Sequence, residues 1–169
     1  SQITALSSTT DGNRRVFRFA PLFTTVNSPS DIVFSNVTAT TTTLNWTDNS
    51  SNESGFTVTR ATDAAFTQNV VNTNVAAGVT TLAVTALTPG TTYYYRVSAF
   101  VEGGISSPVS ASQATSAAPT YYWVGGADTS FGTAGNWNTS ADGSGSARTA
   151  ASNMDILIFS QDATVTVPA

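Results

Sequence analysis

Leu87-Thr88-Pro89-Gly90-Thr91-Thr92-Tyr93-Tyr94-Tyr95-Arg96-Val97-Ser98-Ala99-Phe100 is the stretch that decides the fold. Pro-Gly marks a turn. The residues after it alternate, with Tyr93, Tyr95, Val97 and Ala99 on one face and Tyr94 on the other. A period of two is the mark of a strand that buries one face, so this stretch predicts a turn followed by a long half-buried strand. Tyr94 is expected to point away from the core, and a lone outward Tyr is ordinary.

Similar runs flank it at short spacing. Upstream, Ile32–Thr38 offers Ile32, Phe34 and Val37 as core candidates, and Thr40–Thr47 sets Leu44 and Trp46 against Thr43, Asn45 and Thr47. Asp48–Ser54 is polar and reads as a loop, Gly55 introduces the alternating run Phe56–Arg60, and Thr80–Leu87 places Leu82 and Val84 inward. Downstream, Glu102-Gly103-Gly104 reads as a hairpin turn into Val109–Thr115. Short strands with turns every 8–12 residues predict a seven-stranded, all-β sandwich.

The run Leu87 to Tyr93, with Arg96, Val97 and Ala99, resembles the E–F corner of a fibronectin type III domain. In that family the Leu is core, Pro-Gly makes the turn, and the corner Tyr ties its hydroxyl to backbone a few residues upstream. Trp46 falls where the family keeps its core indole, and Thr47–Phe56 resembles the B–C loop of many bacterial members. The resemblance covers about residues 29–117. It implies that Trp46, Leu87, Tyr93, Tyr95 and Val97 are structural core, and that the domain is a non-catalytic spacer or docking module. No Arg is followed by Gly, so integrin binding through an Arg-Gly-Asp loop does not carry over.

Composition agrees with an all-β chain and narrows the chemistry. Thirty Thr and 21 Ser supply most of the polarity, because only 9% of the residues are charged. Thr is β-branched and favours extended backbone. The chain has no His, no Cys and no Lys. That excludes a Ser-His-Asp triad, a Cys nucleophile, a Schiff-base Lys and a P-loop Lys. It also excludes zinc or copper held by imidazole or thiolate, and no cofactor is expected. A net charge of −4 has the wrong sign for nucleic acid or anionic lipid. No apolar run approaches the ~20 residues that span a bilayer, so membrane insertion is not expected. Few charges and many hydroxyls suit a secreted or cell-surface protein.

Two further segments flank the sandwich. Residues 1–28 hold strand-like runs at Ile3–Thr10 and Arg15–Phe19 around Asp11-Gly12-Asn13, which reads as a hairpin ending a preceding domain or as a linker. Residues 118–169 open with Tyr121-Tyr122-Trp123-Val124-Gly125-Gly126, followed by Phe131, Trp137, Asp155–Phe159 and Thr164–Val167. This pattern resembles the start of a β-solenoid or other β-rich region in large surface proteins of Bacteroidetes-like bacteria. The missing Met at position 1 and the stop after a strand-like run read as an internal fragment of a longer multidomain protein.

The sequence offers three kinds of candidate site. Tyr121, Tyr122, Trp123, Phe131 and Trp137 are candidates for a platform on which a polysaccharide stacks, yet large aromatics are mostly buried, which favours core. Asp48–Glu53 and Asp142–Ser146 offer oxygens to Ca²⁺, but neither matches a twelve-residue calcium loop, and turn chemistry explains both. The sequons at Asn36, Asn45, Asn49, Asn52 and Asn138 are expected by chance in so Thr- and Ser-rich a chain. The expected function is a structural and adhesive module that meets protein partners, or itself, through exposed strand edges. Alternatives are a carbohydrate-binding accessory region of a polysaccharide-degrading enzyme, and a filament subunit or secretion cargo.

Overall fold

The computed structural model describes residues 4–11, 14–20, 25–125, 133–150, 152 and 154–159. Strands β1 (Thr4–Asp11) and β2 (Arg14–Ala20) pair antiparallel as a hairpin, with a register shift between Ala5 and Ser7.

The sandwich follows. Its strands are β3 (Ser30–Ser35), β4 (Thr42–Thr47), β5 (Gly55–Ala61), β6 (Val71–Ala76), β7 (Thr81–Val84), β8 (Thr92–Val101), β9 (Gly104–Ile105) and β10 (Val109–Ala114). One sheet has the order β3-β4-β7; the other has the order β10-β8-β5-β6, with β9 lying along the end of β8. All pairings are antiparallel, and β9 and β10 are successive pieces of one strand line beside β8, so seven lines form the two sheets.

Alternation builds the core. β4 contributes Leu44 and Trp46, β5 Phe56 and Val58, and β8 Tyr93, Tyr95, Val97 and Ala99, closed at one end by Leu87. Trp46 is 5% exposed and meets Phe56 edge-on at 5.7 Å between ring centroids. Tyr95 is fully buried, with its ring 5.4 Å from that of Phe34. Gly55 permits the close approach of β5 and the outer strand β6, since a Cβ there would run into the carbonyl oxygen of Val75.

The chain departs from the sequence reading in three places. The seventh strand, β6, is not among the runs read by alternation, because Asn72 and Asn74 make it polar and only Val75 packs on the core. The first strand ends at Ser35 rather than Thr38, since Asn36 turns at φ 50° and the Thr38 hydroxyl caps the Thr40 and Thr41 N–H groups. Leu87 lies beyond the end of β7 (Val84), in a link whose Leu87 N–H donates to the Thr40 carbonyl at 2.9 Å.

The E–F corner is a hydrogen-bonded knot. The Tyr93 hydroxyl accepts from the Thr88 N–H at 3.0 Å, and Gly90 turns the chain at φ 60°, where a side chain would be strained. The Thr115 hydroxyl donates to the Thr88 carbonyl at 2.7 Å and accepts from the Thr91 N–H at 3.0 Å.

After the sandwich, β11 (Thr120–Trp123) pairs antiparallel with β12 (Trp137–Asn138) and parallel with β13 (Ile156–Ile158). A short 3-10 turn at Ala134–Asn136 leads into β12.

Candidate contact surfaces

The two ends of the sandwich are tied down from opposite poles. β3 starts at Ser30, opposite Thr47 and the 48–54 loop, whereas β10 ends at Ala114, opposite Thr92 and the Pro89-Gly90 turn. Gly55, which follows the 48–54 loop, lies opposite Phe100, at the far end of β8 from Thr92. The loop grips the incoming chain. The Asn27 side chain donates to the Asn49 carbonyl at 2.8 Å, Asn49 returns a bond to the Ser28 carbonyl at 2.9 Å, and Asn52 donates to the Thr25 carbonyl at 3.1 Å. The Ser50 hydroxyl adds a bond to the Asn27 carbonyl at 2.9 Å, and Val26 packs on the core. At the other pole the Ser116 N–H donates to the Thr38 carbonyl and the Gly90 N–H to the Ser116 carbonyl. The polar loop that reads as a plain B–C loop is thus a clamp on residues 25–28.

The outer face of the four-stranded sheet carries a second set of side chains. The Thr57 and Thr59 hydroxyls donate to the side-chain oxygens of Asn74 and Asn72 at 2.9 and 2.7 Å. Beside this polar ladder, the Arg96 guanidinium sits 4.4 Å from the ring centroid of Phe66. Phe66 is held there with φ 56°, at the top of a loop closed by Asp63. That carboxylate accepts from the Gln68 and Thr67 N–H groups and the Thr67 hydroxyl, and the Gln68 bond foremost holds it below the usual carboxylate range. Tyr94 is half-buried on this face.

A profile of the fibronectin type III domain matches residues 27–115. The chain belongs to the fibronectin type III family. Its structure is similar to a computationally redesigned β-sandwich protein, at 28% identity and a TM-score of 0.50, covering 53% of this chain and 95% of that one. It is also similar to a two-domain fibronectin type III segment of chicken tenascin, at 22% identity and a TM-score of 0.52, covering 64% and 61% of the two chains. The first three fibronectin domains of chicken CNTN1 match at 17% identity and a TM-score of 0.50, covering 62% of this chain and 35% of that one. These last two share the fold, and the chain spans less than two thirds of either. No curated protein sequence matches the chain. Fibronectin type III domains are generally non-catalytic modules, typically found in extracellular proteins. Among the described residues no helix is long and apolar enough to cross a membrane.

Trp137 is fully buried and Trp123 6% exposed. Their rings meet edge-on at 5.2 Å, and Phe159 closes against them at 5.1 and 5.9 Å. The two indoles form the core of the C-terminal segment, and neither offers a face for a sugar to stack on. Tyr122 is half-buried, and Phe131 lies outside the described residues. Asp48 and Asp142 each accept a backbone N–H two residues on, from Ser50 and Ser144, which is Asx-turn geometry. Hydrogen bonds from Ser144 hold Asp142 below the usual range. Among the described residues no three acidic side chains gather to hold a cation. Asn138 is buried, and its side-chain amide donates to the Gly143 and Gly145 carbonyls, so that sequon has no room for a glycan. Sequence reading missed the 25–28 clamp, the Phe66–Arg96 pair and β6. The four Asn and Ser side chains of the clamp left only a generic polar signal.

Proposed function

We propose that the chain is a non-catalytic spacer and protein-contact module of a larger extracellular protein, in keeping with its family. One observation carries this reading: the chain enters the sandwich at one pole and leaves at the other, with both junctions hydrogen-bonded to the domain. A module threaded in this way sets a fixed distance between its neighbours, and load passes along β3 and β10, which lie side by side. The reading of residues 118–169 as the start of a β-solenoid in a bacterial surface protein draws support from the parallel pairing of β11 with β13. Polysaccharide binding draws none from the buried indoles.

Single-molecule pulling from the two termini tests the spacer. The sandwich should resist and then yield in one cooperative step, with a contour gain of roughly 30 nm at about 3.6 Å per residue. Gradual extension without a discrete step would end the spacer reading.

A further inference from the structure

The two sides of the sandwich are guarded unequally. On one side β3 carries a bulge between Ser30 and Val33 with the charged Asp31 in it at φ 54°, Pro108 precedes β10, and the two strands shield each other. These are the devices that keep strand edges from pairing with another chain. On the other side lie β6 and β7, the outer strands of the two sheets, both regular in register. From Ala64 to Tyr95 the chain has no charged residue. β6 itself has no Pro and no bulge, its side away from β5 has no strand partner among the described residues, and Val70 and Val71 are 42% and 44% exposed.

The sequence of that edge names its partner. Val71-Asn72-Thr73-Asn74-Val75 reads the same in both directions. Two such strands, antiparallel about a two-fold axis through Thr73, place Val71 opposite Val75, Asn72 opposite Asn74 and Thr73 opposite Thr73. Directly opposed residues of an antiparallel pair point to the same side of the sheet. The valines therefore extend the core-facing side. The asparagines extend the outer polar ladder, where their Oδ1 atoms already accept from Thr57 and Thr59 and their Nδ2 groups have no partner among the described residues. Such an interface is isologous and closes on itself.

We propose that β6 pairs with β6 of a second copy of this chain, in register about Thr73, joining two four-stranded sheets into one of eight strands. This rests on the protein-contact reading above and gives it a partner and a register.

The register makes the test specific. In sedimentation velocity the 169-residue chain should dimerise as concentration rises. The pair Asn72→Lys with Asn74→Lys sets like charges opposite each other across the axis and should weaken the dimer by at least about tenfold. The pair Asn72→Lys with Asn74→Glu sets opposite charges there and should keep it. The chain has no cysteine, so Thr73→Cys introduces a single thiol on the axis, at a Cα separation a disulfide accepts. It should crosslink two copies on oxidation, while Ser112→Cys on β10 should not. The crosslinking decides the matter if either charged pair fails to fold. A chain that stays monomeric at all concentrations, equal weakening by both charged pairs, or crosslinking through Ser112→Cys as fast as through Thr73→Cys overturns the proposal. A folded monomer that still yields in one mechanical step leaves the spacer intact and removes only the β6 pairing; the reverse result removes only the spacer.

Discussion

The sandwich and the C-terminal segment each bury indole rings, but they stabilise them by different means. Around Trp46 the neighbours are alternating apolar side chains from both sheets, with Leu44, Phe56, Val58 and Val97 all buried. Around Trp123 and Trp137 no aliphatic side chain among the described residues is buried. Among the described residues the segment relies on contacts among three aromatic rings, two of them edge-on and one tilted, and on one buried ion pair. The Nη2 and Nε atoms of Arg148 both reach Oδ2 of Asp155, at 2.7 and 2.8 Å, and the Ser152 N–H reaches the same oxygen. Non-directional burial spreads its contribution over many side chains, whereas a buried charge pair fails when either partner leaves.

The largest effect should come from Arg148→Ala. It strands the Asp155 carboxylate in a site where both side chains are about 5% exposed or less, a cost of about 3–5 kcal/mol in a small segment. We expect the C-terminal segment to unfold while the sandwich still melts cooperatively, seen as a red shift and iodide quenching of two of the three indoles. Retained shielding of all three would erase the contrast between the regions. Trp46→Ala should act in reverse, costing the sandwich about 3–5 kcal/mol and leaving the emission of Trp123 and Trp137 in place. A melt like the parent's would mean that the alternating core does not depend on its indole.

The smallest effect sharpens the sandwich side alone. The Tyr95 hydroxyl is buried with no hydrogen-bond partner among the described residues, and burial pushes its pKa up to about 12, with Arg60 partly opposing. The folded state therefore holds this proton more tightly than the unfolded chain, whose Tyr titrates near 10. Stability linked to Tyr95 is complete below pH ~10 and is lost as pH rises toward ~12, by about 3 kcal/mol at about 1.4 kcal/mol per unit. Alkaline melts should show this loss, and Tyr95→Phe should remove it. The same variant discards an unpartnered hydroxyl, so at neutral pH it should be neutral or more stable than the parent. An unchanged alkaline slope in Tyr95→Phe would assign the loss to another group.

Legibility followed burial. Where one face of a strand meets the core, as at Leu44 and Trp46 or at Tyr93, Tyr95 and Val97, the period of two is forced on the residues and can be read back. β6 escaped because an edge strand with a polar outer face needs only Val75 inside, so its run carries little apolar signal. The clamp on residues 25–28 escaped for a related reason. Asn27, Asn49, Ser50 and Asn52 act on carbonyls more than 20 residues away, and no local pattern records which carbonyl an amide will find. The tyrosine corner is the opposite case, since Tyr93 bonds only five residues upstream and the turn between them carries its own signature.

By itself the amino-acid order determined that this chain is an all-β fibronectin type III module without His, Cys or Lys. Alternation and residue type are local properties that a strand must obey wherever it lies. Only the tertiary structure decided which strands stand at the open edge, which indoles are sealed from solvent and how the chain is held where it enters and leaves. Those outcomes depend on which distant backbone groups meet, and hydrogen bonds and close packing choose among such meetings only once the sheets have closed.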